Sequence, residues 1–214
     1  MIPVTEDRPR RADAVRNREK VLDAAAEVFA EEGLKAPIED VARRAGVGVG
    51  TVCRHFATKQ LLLEAVLTRM YESMLERARA AAAEPDAAAA FEKFFIGLGD
   101  FHTRHRAFAE QAANELDLAT VPVREELRAA ISQLVTRAQE AGALRTDIGP
   151  ADVSLLFSAA AHASSVVGDF QPVLRERYVR IILDGLRPHD DASTLPGRPL
   201  SYAELQRLKE RRKK

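Results

Sequence analysis

The stretch from Ile38 to Phe56, IEDVARRAGVGVGTVCRHF, constrains this chain more than any other. Ile38, Val41, Ala42 and Ala45 stand at i, i+3, i+4 and i+7, which puts them on one narrow face of a helix. Gly46 follows at once, and glycine enters the left-handed conformation that ends a helix without a Cβ clash. Val47 supplies an apolar anchor in the turn, and Val52 and Phe56 form an i, i+4 pair on a second short helix. Two short helices, a tight glycine turn and a small shared apolar surface predict a helix-turn-helix, a motif whose second helix enters the major groove of DNA.

Charge agrees with that geometry. From Arg43 to Lys59 the basic residues Arg43, Arg44, Arg54 and Lys59 meet no acid, a local charge of +4. Cations placed against a duplex release its condensed counterions, so such a cluster favours DNA. Val49, Gly50 and Thr51 open the second helix. Small side chains let a backbone come close to DNA, and valine or threonine methyls can meet a thymine methyl. On periodicity alone the stretch also reads as an ordinary helical hairpin with a solvated basic face.

Residues 17–66, above all AGVGVGTVCRHFATKQLLLEAV, resemble the DNA-binding domain of the TetR family of bacterial transcriptional regulators. Ala45-Gly46-Val47, Gly50-Thr51-Val52, His55-Phe56, Thr58-Lys59 and Leu61-Leu62 carry the resemblance, without a gap. Beyond residue 70 only the helical layout corresponds. The resemblance implies an all-α, homodimeric regulator, a repressor released from a palindromic operator on double-stranded DNA by a small-molecule effector. The residues expected at DNA are then Val49, Gly50, Thr51 and Arg54 near base edges, with Arg54 as the bidentate guanine donor, and Arg44, His55 and Lys59 on phosphates. Two positions depart from the family pattern. Cys53 stands where an aromatic, usually tyrosine, contacts the DNA backbone, and Gly48 stands where serine or threonine often caps the recognition helix.

The 214 residues are 46% hydrophobic, enough for one sizeable core or a small domain joined to a larger one. Net charge is zero, but residues 1–60 carry +1, residues 61–187 carry −4 and residues 188–214 carry +3. The middle is therefore mildly repelled by DNA and the ends are not. Cys53 is the single cysteine, which excludes an intrachain disulfide. Its basic surroundings allow an oxidation sensor, although a drifted backbone contact is the simpler account. No charged-then-apolar leader opens the sequence, and Val153–Val167, the most apolar stretch, is too short and too polar to span a bilayer, so a cytoplasmic protein without membrane contact is expected. No phosphate loop follows a strand and no serine sits in a nucleophile elbow. His102 and His105 lack a carboxylate at metal spacing. Neither an enzyme nor a metal or cofactor is expected.

Four regions follow from the pattern. Residues 1–16, with Arg8, Arg10, Arg11 and Arg16, read as a flexible basic arm, either solvated or reaching the minor groove. Residues 17–64 form the DNA-binding domain, opened by a helix over 17–32 with Val21, Leu22, Ala25, Val28 and Phe29 inward. Residues 65–187 form a helical effector-binding and dimerisation domain. Thr58 caps a connector helix over 59–84, and Asp86 caps the next. Further helices are expected over 87–102, 104–118, 123–141, 150–167 and 172–187. Phe94, Phe95, Phe101, Phe108 and Phe157 are either core or the lining of an apolar effector cavity, with His102, Asn114 and His162 as its polar groups. The broad apolar faces of the last two helices would either close a monomeric core or build a four-helix dimer interface. Residues 188–214 read as a linker and basic tail, with Ser201 and Glu204 spaced as a capping box. That tail is either frayed or an added helix docked on the body or on DNA. Two rival readings are a helical small-molecule-binding or enzymatic domain with a vestigial DNA motif, and a dimeric scaffold with basic ends.

Overall fold

The computed structural model describes residues 7–115, 121–165, 171–189 and 193–212. Among them stand nine helices and no strand: α1 (Asp7–Glu32), α2 (Ile38–Ala45), α3 (Val49–His55), α4 (Lys59–Ala82), α5 (Ala87–Glu115), α6 (Val123–Glu140), α7 (Pro150–Ser165), α8 (Gln171–Leu186) and α9 (Tyr202–Arg212). None is long and apolar enough to cross a membrane. The expected all-α architecture, with an N-terminal helix-turn-helix and a helical remainder, is the one observed.

The chain forms two compact units. The first joins residues 1–69 to 105–121. Its core is Val21, Leu22, Ala25, Val28 and Phe29 of α1, Val41 and Ala42 of α2, Val52 and Phe56 around α3, and Leu62 and Val66 of α4. Phe108 of α5 completes it, its ring stacked 6.1 Å from that of Phe29. Gln111, one turn later, accepts a 3.0 Å hydrogen bond from the Leu34 amide just past the end of α1. The second unit joins residues 70–104 to 122–214. Phe91, Phe94 and Phe95 of α5, Leu134 and Val135 of α6, Phe157 of α7 and Leu183 of α8 lie in its core.

Several expectations are corrected. Residues 7–16, expected as a flexible arm, belong to α1. Pro9 falls in the first turn, where a missing N–H costs nothing because no intrahelical partner exists there. The helices expected over 87–102 and 104–118 are one, since His102-Thr103-Arg104 contains neither proline nor glycine to break it. The compact units cut the chain differently from the expected 17–64 and 65–187 regions: residues 65–69 and 105–121 fall in the first unit, where Phe108 and Gln111 pack on α1 and the turn after it.

The expected linker and tail are also held in place. Arg145 binds Asp147 at 2.6 Å and the Ser193 carbonyl at 2.8 Å, while Asp147 accepts from the Leu195 amide. Ser201 and Glu204 make the reciprocal bonds of a capping box, at 2.9 and 3.2 Å, and α9 follows. The side chains of Lys209 and Arg212, and residues 213–214, lie outside the described residues.

Candidate nucleic-acid interface

The helix-turn-helix is built by its backbone. Gly46 adopts φ +67° and donates to the Arg43 carbonyl, and Val47 donates to that of Ala42. This reciprocal pair closes α2 and turns the chain toward α3. Gly48 is the extended N-cap of α3 and offers no side-chain bond to it. A Cβ there or at Gly50 meets nothing within 4 Å, so the lip of this helix is open.

On α3, Val52 is buried and Thr51 and His55 are half-buried at its flanks. Val49, Gly50, Cys53 and Arg54 are exposed. Being related as i, i+1, i+4 and i+5, they form one outward stripe opposite Val52. Arg54 makes no ion pair among the described residues. The structure thus brings four of the eight predicted DNA residues onto one strip of small side chains that ends in a free guanidinium. His55 lies beside Phe56, ring centroids 6.4 Å apart.

Two predicted phosphate ligands have partners inside the unit. Arg44 binds Glu31 at 2.7 Å and Glu27 at 3.1 Å, both on α1. These bonds hold the Glu31 carboxyl below its ordinary range and push the guanidinium further above its own. Arg44 therefore ties α2 to α1, whereas Arg43 faces solvent and pairs with Asp40 on its own helix. Lys59 begins α4 and places its ammonium 5.8 Å from the centre of the Phe29 ring. Thr58 caps that helix through the Leu61 amide at 3.2 Å.

Arg18 was not among the predicted residues. Its guanidinium lies 5.4 Å from the centre of the Phe56 ring, where α3 gives way to α4. A signal existed: Arg18 shares the spacing of Leu22, Ala25 and Phe29, so the core-facing stripe of α1 continues into a cation at the edge of the core.

The predicted effector lining is divided. Phe94, Phe95 and Phe157 are buried in the second unit, with Phe95 edge-on to Phe157 at 5.7 Å. Phe108 is core in the first unit. The side chains of Phe101, His102, Asn114 and His162 lie outside the described residues. A cleft of about 250 Å³ in the second unit is lined by Phe91, Leu144 and Leu183, with Glu92 and Arg187 also on its wall.

Comparison with known proteins matches two segments of the chain. Residues 21–66 match the family model described as bacterial regulatory proteins, tetR family, and residues 86–188 match that of the SbtR-like transcriptional regulator C-terminal domain. The crystal structure of a TetR transcription regulatory protein from Mycobacterium vanbaalenii is 34% identical, with a TM-score of 0.63, over 83% of this chain and 99% of that one. The HTH-type transcriptional repressor KstR2 of Rhodococcus jostii is 26% identical over 192 residues, 81% of this chain and 93% of that protein. The HTH-type transcriptional regulator SrpR of Pseudomonas putida is 44% identical over 57 residues, so the match spans only 27% of its length.

Proposed function

Because this chain belongs to the TetR family of bacterial transcriptional regulators, we propose that it is a homodimeric repressor whose two α3 helices read a palindromic operator. The outward stripe of α3 carries this reading: small residues admit the backbone to the major groove, and Arg54 stands free to donate to guanine O6 and N7. In this reading Arg43, His55, Lys59 and Arg18 are the donors for phosphates, which set position without reading sequence. Arg44 is left out of this set because Glu27 and Glu31 already engage it. The family is one of regulators rather than enzymes, and a protein that acts on operator DNA works in the cytoplasm.

Dimerisation is assigned to α7 and α8. Leu155 and Leu156 on α7 and Val173 and Ile181 on α8 are exposed in the single chain. A two-fold axis would pair these faces as a four-helix interface and set two α3 helices at successive major grooves. The second unit is the effector-binding part. A small molecule there acts by favouring a conformation with the wrong α3 spacing, so effector and operator weaken each other's binding equally.

The test is binding of the purified protein to duplexes from around its own gene, titrated against salt with random duplex as competitor. A strong preference for one short palindrome is expected. Equal affinity for every duplex, with only a salt slope, would leave a basic scaffold in place of a regulator.

A further inference from the structure

The cleft of about 250 Å³ in the second unit lies between the start of α5 and the ends of α6 and α8. Its floor is apolar: Phe91, Leu144 and Leu183 are each at most 5% exposed. Its rim is charged. The Arg187 guanidinium binds Asp184 at 2.8 Å with one nitrogen and Glu92 at 3.3 Å with the other. The walls are fixed by the backbone. The amides of Ala143 and Leu144 both donate to the Ala138 carbonyl, and that of Arg145 donates to the Leu186 carbonyl at the end of α8. The chain just before α5 is tied as well, since Arg137 donates to the carbonyls of Ala82 and Glu84. Such a hollow is formed before any guest arrives, as small-molecule sites usually are.

Size and charge select the guest. The volume lies between the ~150 Å³ of a cavity that holds benzene and the ~300–1,000 Å³ of drug-sized sites, so one ring with a short arm fits. Two carboxylates share one guanidinium at the rim, which leaves one negative charge in excess. The Glu92 bond is the longer of the two and Arg187 is more than half exposed, so this contact is weak and opens easily. A guest ammonium takes Glu92, leaves Arg187 on Asp184 and makes the rim neutral. A guest carboxylate takes Arg187, strands Glu92 and raises the excess to two. The amides that open α5 would favour an anion, but those of Ala88 and Ala89 already donate to Asp86. The C-terminal ends of α6 and α8 favour a cation.

We propose that this cleft binds a small organic cation, a primary ammonium on a compact apolar body, with Glu92 as its anchor and Phe91, Leu144 and Leu183 as its floor. The site stands on the second unit alone, whatever DNA the first unit selects. Arg187 acts as a built-in competitor: its guanidinium occupies Glu92 in the empty cleft and falls back on Asp184 when a guest arrives.

The test uses the full chain without DNA and three probes of one shape: 2-phenylethylamine, 2-phenylethanol and 3-phenylpropionate. Binding is followed by calorimetry and by saturation transfer to the ligand. The amine is expected to bind saturably, with a dissociation constant of about 1 mM or tighter for a ligand of this size. The alcohol is expected to bind about tenfold more weakly, the loss of a hydrogen bond to a charged group, and the carboxylate more weakly still. Glu92→Gln is expected to erase the preference for amine over alcohol. Arg187→Gln, which removes the competitor, is expected to tighten amine binding severalfold. Both positions lie at the rim, so neither substitution empties the core. Ala143→Leu, which fills the cleft, is expected to abolish binding of all three. No saturation by the amine overturns the site. So does carboxylate binding as tight as that of the amine, or an Arg187→Gln variant that binds the amine less well. Amine binding that Glu92→Gln leaves unchanged also overturns it, since that marks a cation spread over an acidic surface.

Discussion

At the residue scale, the proposed function divides the residues around α3 into those that would read sequence and those that would hold position. Arg54 carries the only positive charge on the Val49, Gly50, Cys53 stripe and is free to form a bidentate pair, worth ~1–3 kcal/mol of discrimination against a wrong base. Arg54→Ala is therefore expected to cut operator affinity about tenfold or more while barely changing affinity for random duplex. Lys59→Ala is expected to weaken both together, since a phosphate contact carries no sequence information. Competition titrations of the two variants on both duplexes check this, and an equal loss on both from Arg54→Ala removes its base-reading role. Arg44 belongs to neither class, because its charge is engaged by Glu27 and Glu31. The spacing of basic residues identified a cationic patch, but it could not say which guanidinium finds an acid on a neighbouring helix. That choice depends on how α1 lies against α2, and Arg18 went unnoticed for the same reason.

At the element scale, the helix periods, caps and stops were legible because they are local. Gly46, Thr58, Asp86 and the Ser201–Glu204 box all act where their spacing placed them. What the chain could not reveal locally is which core an apolar helix serves. Phe108 looked like one ring among several for an effector cavity, yet only 1% of it is exposed and it is stacked on Phe29. Phe108→Ala is expected to destabilise the unit that contains α1–α3 by ~3–5 kcal/mol, the cost of emptying an aromatic site in a core. Chemical denaturation read separately by probes in the two units checks this, and a loss confined to the second unit refutes the assignment. The segment over 193–200 makes a second case. The Arg145 guanidinium holds the Asp147 carboxyl down at about 2. For a depressed carboxyl the stabilisation is full above its unfolded value near 4 and disappears as pH falls through the folded one. Protection of the Leu195 amide against exchange is thus expected to persist from neutral pH down to about 4 and to fade between there and about 2. Asp147→Ala, which removes the acceptor altogether, is expected to abolish that protection at neutral pH.

At the scale of the whole molecule, a single copy of α3 offers a short contact for selecting one site in a genome, and the proposed reading has affinity come from two copies on one duplex. The argument for α7 and α8 as the pairing surface is one of area. Leu155, Leu156, Val173 and Ile181 are side chains that a finished fold tends to cover, yet Ile181 is 56% exposed and Val173 71%. Covering the open half of an isoleucine contributes ~1 kcal/mol, about half of full burial. A two-fold axis counts each position twice, so losing it costs ~2 kcal/mol and raises the dimer dissociation constant roughly thirtyfold. A buried, unpaired carboxylate adds to that cost. Ile181→Glu is therefore expected to give a folded monomer at concentrations where the parent sediments as a dimer. Its helix content should be unchanged, because Ile181 is more than half exposed within its own copy. Operator binding should fall far more than thirtyfold at low protein concentration, while the weak affinity for random duplex survives. If Ile181→Glu stays dimeric and still binds its operator, the pairing surface lies elsewhere and the exposed face of α8 has another occupant.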